Sequence, residues 1–163
     1  MIQKINPCFW FDDQAEESAQ FYTSIFKNSK INAISYYTEV SPKPAGTVLT
    51  VDFQLEGQDF TALNGGPEFT FNPAISLCVN CDTQAEIDYY WDKLLEGGEV
   101  LACGWLTDRF GVSWQIIPAE MGELMSNDNP ERASRVMEEL LKMKKIDLAT
   151  LQRAYEQATV AQG

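Results

Sequence analysis

From Thr47 the chain alternates cleanly between apolar and polar positions. Leu49, Val51, Phe53 and Leu55 share one face, and Thr50, Asp52 and Gln54 share the other, which predicts a half-buried strand. Glu56-Gly57 turns the chain into another strand, with Phe60, Ala62 and Asn64 on one face and Thr61 and Leu63 on the opposite one. Upstream, Ile5 to Phe11 reads as an apolar strand. Ala15, Ala19, Tyr22 and Phe26, with Ser18 and Ile25 at the margins, then recur at three- and four-residue spacing, the apolar face of a helix that Asp12 or Asp13 would cap. Ile31 to Thr38 predicts a strand, Ser41 to Gly46 a loop whose prolines exclude a central strand, and Gly65-Gly66-Pro67 a stop.

A second block repeats this order. Ala74 to Val79 predicts a strand, and Thr83 with Glu86 forms a capping box that opens a helix. Ile87, Tyr90, Trp91, Leu94 and Leu95 supply its apolar stripe, and Gly97-Gly98 closes it. Glu99 to Trp105 and Val112 to Ile117 predict further strands. The apolar segment ending at Trp105-Leu106, the polar turn through Asp108-Arg109 and the second segment after Gly111 make a hairpin that reads as a cavity wall. Residues also match at an offset of 70: Cys8 with Cys78, Asp12 with Asp82, Gln14-Ala15-Glu16 with Gln84-Ala85-Glu86, and Phe21 with Trp91. A strand followed by a capped helix in both copies makes duplication the better explanation.

After Pro118 the pattern is helical to Ala158. Asn129-Pro130 is a cap and first-turn pair before Ala133, Val136, Met137, Leu140 and Leu141, and Asp147 caps a shorter helix carrying Leu148, Leu151 and Tyr155. These helices are too short to own a core and read as a lid or a dimer-packing appendage.

With 163 residues, 45% of them hydrophobic, the chain can bury one substantial core. Twenty-four acidic residues against twelve basic ones give a charge of −12, which repels phosphate backbones and anionic membrane surfaces and argues against nucleic acid or a membrane as partner. The basic cluster Lys142, Lys144 and Lys145 falls at a helix end, where cations complement the dipole. No apolar run reaches the roughly 20 residues needed to cross a bilayer, and no apolar signal region follows the first residues. A cytoplasmic protein is expected.

Cys78-Val79-Asn80-Cys81 has redox-motif spacing, but on a strand residues three apart point to opposite faces, so reduced structural thiols are expected. The acids Asp12-Asp13 and Glu16-Glu17 are explained by a helix start. Trp105 and Trp114 fall on strands, where a tryptophan serves either core packing or a cavity wall. Asn64 and Gln115 sit among apolar neighbours and need partners, which a bound molecule, the backbone or water can supply.

Several features together resemble the PhnB-like branch of the vicinal oxygen chelate superfamily, which includes glyoxalase, bleomycin-resistance proteins and dihydroxybiphenyl dioxygenase. They are Asn6-Pro7 at the first strand, Phe21-Tyr22 in its helix, and Cys103-Gly104-Trp105 followed by Asp108-Arg109-Phe110-Gly111-Val112-Ser113-Trp114. The resemblance covers about the first 118 residues. It implies an α+β fold of two paired βαβββ modules, about 4–66 and 72–118, that form open cup-shaped sheets in a domain spanning 1–118. A helical extension, 119–163, packs on that domain or on a partner subunit, and a homodimer is implied. Enzymes of the superfamily are similar in placing His and Glu metal ligands on the first and last strands of each module. This chain has no histidine, and the matching neighbourhoods hold Asn6-Pro7, Ala62 to Asn64, Ile75-Ser76 and Trp114-Gln115-Ile116. Amides and hydroxyls alone are weak ligands for a transition metal, so no metal and no cofactor are expected.

Two functions follow. The first is a metal-free small-molecule binding protein whose cup, with Phe9, Asn64, Trp105, Trp114 and Gln115, holds a partly apolar ligand. The alternative is a divergent enzyme of lyase, isomerase or transferase type, working without a His-ligated metal through Cys103 or Asp108. The ubiquinone methyl transfer attached to family labels finds no glycine-rich strand-helix turn for a methyl-donor nucleotide.

Overall fold

The computed structural model describes residues 3–157. Its contacts divide the chain into two compact units, Met1–Phe71 and Asn72–Gly163. The first comprises β1 (Cys8–Phe11), α1 (Ala15–Ile25), β2 (Lys30–Tyr36), β3 (Val48–Leu55) and β4 (Gln58–Asn64). The second contains β5 (Ser76–Cys81), α2 (Gln84–Leu94), β6 (Glu99–Val100), β7 (Trp105–Thr107) and β8 (Ser113–Pro118), followed by α3 (Met121–Leu124), α4 (Pro130–Leu140) and α5 (Leu148–Glu156). The two sheets have the same strand order, β1-β4-β3-β2 and β5-β8-β7-β6. In each the first strand runs parallel to the last and the other pairs are antiparallel. The fold is α+β, and the repeat at an offset of 70 residues coincides with a repeat of topology.

In the first unit α1 covers one sheet face. Ala15, Ser18, Ala19, Tyr22 and Ile25 are buried on the helix, and Phe9, Phe11, Val51, Phe53, Leu55, Phe60 and Ala62 are buried on the sheet. Tyr22 stacks on Phe53 with ring centroids 6.2 Å apart, and Phe53 on Phe60 at 5.4 Å. Burying each such side chain stabilises the unit by about 1.5–3 kcal/mol. The cap of α1 differs from expectation. Neither Asp12 nor Asp13 provides it. The N-cap position is Gln14, without a side-chain bond, and the acceptor is Asn64 Oδ1 on β4, which takes the Ala15 amide at 2.8 Å.

In the second unit the capping box forms as expected. The Glu86 amide donates to Thr83 Oγ1 at 3.2 Å, and Glu86 reaches back to the Asp82 amide at 2.7 Å. Ile87, Trp91 and Leu94 of α2 and Leu106, Trp114 and Ile116 of the sheet are buried. The strand expected from Glu99 to Trp105 is two strands. Cys103 and Gly104, at φ of 57° and 83°, turn the chain between β6 and β7, which pair antiparallel. A left-handed cysteine is rarely adopted, and local pattern does not announce it. Gly98 lets the chain leave α2 close to β7, since a methyl group there would collide with the Thr107 carbonyl.

The terminal helices belong to this unit. Asn129 Oδ1 accepts the Arg132 amide and Asp147 Oδ1 the Thr150 amide, as their spacing predicts. Val136, Ile146, Leu148, Leu151 and Ala154 are buried. Met143 and Lys144 carbonyls accept from the Cys103 and Gly104 amides at 2.9 and 2.7 Å. The Gln84 side chain bonds both Ile146 O and Leu148 N. On α4 the expected apolar face is only partly covered, with Met137 39% and Leu141 65% exposed. Ala158, the expected end of the last helix, lies outside the described residues. Among the described residues no helix is long and apolar enough to cross a membrane.

Candidate functional site

Successive strand residues point to opposite faces, so each sheet has one face under its helix and one turned away from it. On the first sheet, the face turned away from α1 holds a cavity of about 460 Å³ lined by Gln3, Asn6, Lys30, Asn32, Ala33, Asp52, Gln54, Asp59 and Thr61, with Phe53 and Phe60 at its edge. The register places Asp52 opposite Thr61 and Gln54 opposite Asp59 across β3 and β4, and Lys30 opposite Gln54 across β2 and β3. The β2–β3 register shifts between Ile31 and Ala33. Such a bulge bends a strand and puts Asn32 among the lining residues.

Two hydrogen-bond relays order this face. Asn6 Nδ2 donates to Thr61 Oγ1 at 3.2 Å, and Thr61 donates to Asp52 Oδ1 at 2.7 Å. Gln54 Nε2 donates to Asp59 Oδ1 at 3.0 Å, while Gln3 Oε1 accepts the Asp59 amide at 3.2 Å and Gln58 Nε2 at 2.6 Å. The result is a preformed polar concavity with carboxylates, amides and one lysine. Among the described residues no group of three or more His, Cys, Asp or Glu side chains is placed to hold a metal ion.

The five residues singled out from the sequence separate by face. Phe9, in the first unit, is 8% exposed beneath α1 and packs against Phe11, Tyr22, Phe53, Phe60 and Phe71. Asn64 is buried on the same side, and its amide is held by backbone, Oδ1 by Ala15 N and Nδ2 by Val48 O at 3.1 Å. In the second unit Trp114 is 2% exposed on the α2 side. Trp105 and Gln115 are register partners on the opposite face and are half-buried, with Gln115 Nε2 donating to Ser76 Oγ at 2.9 Å. Ser113, also on that face, is 1% exposed, and its Oγ has no hydrogen-bond partner among the described residues.

The two candidate reactive groups have structural surroundings. Asp108 is 3% exposed. Its Oδ1 accepts the Phe110 and Val112 amides at 2.9 and 3.0 Å, and its Oδ2 accepts Trp114 Nε1 at 2.8 Å, which fixes the β7–β8 turn. Cys103 sits in the β6–β7 turn. All four thiols are free. Cys78 is exposed and Cys81 buried, on opposite faces of β5, and burial, followed by the charges of Glu86 and Asp82, pushes the Cys81 thiol up to about 12. Burial penalises only the thiolate, so it costs nothing while the thiol stays protonated, below the ordinary value of 9.0, and native stability is lost as pH rises from there toward about 12. Iodoacetamide at pH 8 is therefore expected to alkylate Cys78 in the native protein and Cys81 only after unfolding, as peptide mapping would show. Equal labelling of both would contradict this placement.

The polar residues of β3 and β4 were the ones sequence reasoning passed over. The alternation of Thr50, Asp52 and Gln54, continued by Asp59 and Thr61, was visible but reads equally well as a solvent face.

A sequence profile of the family described as 3-demethylubiquinone-9 3-methyltransferase matches residues 3–117. The chain belongs to this PhnB-like family. The match spans both sheets and stops before α3. Among solved structures, the putative 3-demethylubiquinone-9 3-methyltransferase PhnB protein from Bacillus cereus is 41% identical, covering 71% of this chain and 98% of that one with a TM-score of 0.65. Protein PA1353 from Pseudomonas aeruginosa, 22% identical over 72% of this chain and 97% of its own, superposes with a TM-score of 0.59 and supports the fold. FosX from Listeria monocytogenes, a fosfomycin resistance protein solved with Mn(II) and sulfate, is 17% identical over 70% of this chain and 90% of that one. Its TM-score is 0.46, too distant to carry a metal or substrate across. The chain shares the α+β fold of the PhnB protein from Bacillus cereus. Comparison with curated proteins gave no match.

Proposed function

We propose that this PhnB-like protein binds a small polar molecule, without a resident metal, in the cavity on the uncovered face of its first sheet. The observation that carries the reading is that cavity: about 460 Å³ of concave space whose side chains are already ordered by hydrogen bonds before any ligand arrives. Small-molecule sites are usually clefts of roughly 300–1,000 Å³, and the mainly polar lining here suits a polar occupant. In this reading Asp52, Gln54, Asp59, Thr61 and Lys30 make the contacts. Trp105 and Gln115 offer a separate surface on the uncovered face of the second sheet, while Phe9 and Asn64 support the first sheet and Trp114 the second, each from its own helix side.

The surroundings of Asp108 and Cys103 speak for binding over turnover through those two residues. Methyl transfer from a nucleotide donor gains no support either. The strand-helix junctions run through Asp12-Asp13-Gln14 and Asp82-Thr83, acidic and without the glycines that bring backbone amides close to a phosphate. We also propose a cytoplasmic homodimer. Free thiols fit a reducing compartment, and Met137 and Leu141 are apolar surface that a second copy would cover.

Native mass spectrometry of the gently purified chain is the test. A retained small molecule is expected, with occupancy falling about ten-fold in Thr61→Val or Asp52→Ala, the loss expected from removing one or two hydrogen bonds. A molecule that survives both substitutions and leaves with Gln115→Ala would move the site to the second sheet.

A further inference from the structure

Within the cavity reading, the question is which ligand chemistry the ordered atoms leave room for. The Thr61 hydroxyl has one proton, and it goes to Asp52 Oδ1, because the Thr61 oxygen itself receives Asn6 Nδ2. Asp52 is thereby held as an acceptor, and Asp59 likewise through Gln54. Each carboxylate takes its one donor on Oδ1, Asp52 from Thr61 and Asp59 from Gln54. Among the described residues Oδ2 of neither has a protein donor, and no lysine or arginine pairs with either, since the ion pairs involve Lys93, Arg109, Lys142 and Lys145. Lys30, facing the same cavity, has no carboxylate partner among the described residues.

Two carboxylates that share a concavity with one lysine and have no ion-pair partner among the described residues disfavour a further anion and favour a bound cation. A divalent metal needs more oxygen ligands than this pair supplies. An ammonium needs only acceptors, and the two Oδ2 atoms are acceptors. Lys30 complements a hydroxyl or other acceptor elsewhere on the same molecule. We infer that the cavity selects a small organic amine that also carries hydroxyl or other acceptor groups, its ammonium toward Asp52 and Asp59 and its acceptors toward Lys30.

Three compounds with one carbon skeleton and three charges test this: glucamine, sorbitol and gluconate, titrated at pH 7 and low salt into the ¹⁵N-labelled full chain, with Ca²⁺ as a fourth arm. Glucamine is expected to shift amides at residues 30–33, 52–54 and 59–61 with an affinity about five-fold above sorbitol, the range that a partly exposed charge pair allows. The gap should shrink in high salt, and gluconate should bind more weakly than sorbitol. Asp52→Asn and Asp59→Asn should each reduce the gap to about two-fold or less. Because the variants are isosteric and independent, either one that keeps its remaining spectrum suffices. Equal affinity for all three compounds, a preference for gluconate, or competition by Ca²⁺ at these amides overturns the inference. So does the absence of any shift with glucamine, and the cavity reading is then judged separately by the retained molecule.

Discussion

A chain ended after Asn127 is expected to aggregate or to lose the cooperative unfolding of its second unit. The sequence reads the terminal helices as an extension that packs on the domain or on a partner, and in the structure they pack within their own unit. Truncation removes the Met143 and Lys144 carbonyls that satisfy the Cys103 and Gly104 amides. It also removes Val136, Ile146, Leu148, Leu151 and Ala154, all buried, and the backbone partners of Gln84. Four of those side chains are large, each worth about 1.5–3 kcal/mol on burial, so their summed loss rivals the 5–15 kcal/mol that holds a typical domain together. Size exclusion with light scattering would show a dimer for the full chain and heterogeneous large species for the truncated one. A truncated chain that stays monodisperse and melts at the same temperature would mean that these helices cover nothing essential, and a full chain running as a monomer at micromolar concentration would remove the dimer.

Asp108→Ala is expected to destabilise the protein by about 3–5 kcal/mol, because three hydrogen bonds to a buried carboxylate disappear and the Trp114 indole N–H is left without its acceptor. At this chain size that is a fall of roughly 10 °C in Tm, measurable by circular dichroism. Asp108→Asn keeps one oxygen and should fall between wild type and Ala. The molecule retained by the first sheet should be unaffected at temperatures where the variant remains folded. A variant with unchanged Tm but altered ligand chemistry would instead mark Asp108 as a functional group.

What was legible in the sequence was local or periodic. Thr83 with Glu86, Asn129 before Pro130, and Asp147 announce their helix starts because the capping atoms lie within four residues of the amides they satisfy. Val51, Phe53 and Leu55 announce a buried face because a strand alternates by two. The cap of α1 was not legible, because its acceptor, Asn64, lies 49 residues away and meets Ala15 only through the β1–β4 pairing. The same residue illustrates the larger difficulty. Alternation separates the two faces of a sheet without saying which one a helix will cover and which will stay concave. Asn64 and Phe9 belong to the face with more apolar residues, which α1 takes. Asp52, Gln54 and Thr61 belong to the other, and what distinguishes them from an ordinary solvated face is the register that aligns them with Asp59 and Asn6. In the second unit, the turn at Cys103-Gly104 escaped because a cysteine at positive φ is set by its tertiary surroundings.

The measurement that bears most directly on the central claim compares amide spectra of the ¹⁵N-labelled protein as purified and after its small molecules have been stripped in urea and the chain refolded. If the uncovered face of the first sheet is the binding site, the differences fall on Lys30 to Ala33, Asp52 to Gln54 and Asp59 to Thr61, and adding back the low-molecular-weight fraction from the as-puried sample's urea wash restores the original spectrum. Differences confined to Trp105 and Ser113 to Gln115, with the first sheet unchanged, would contradict it.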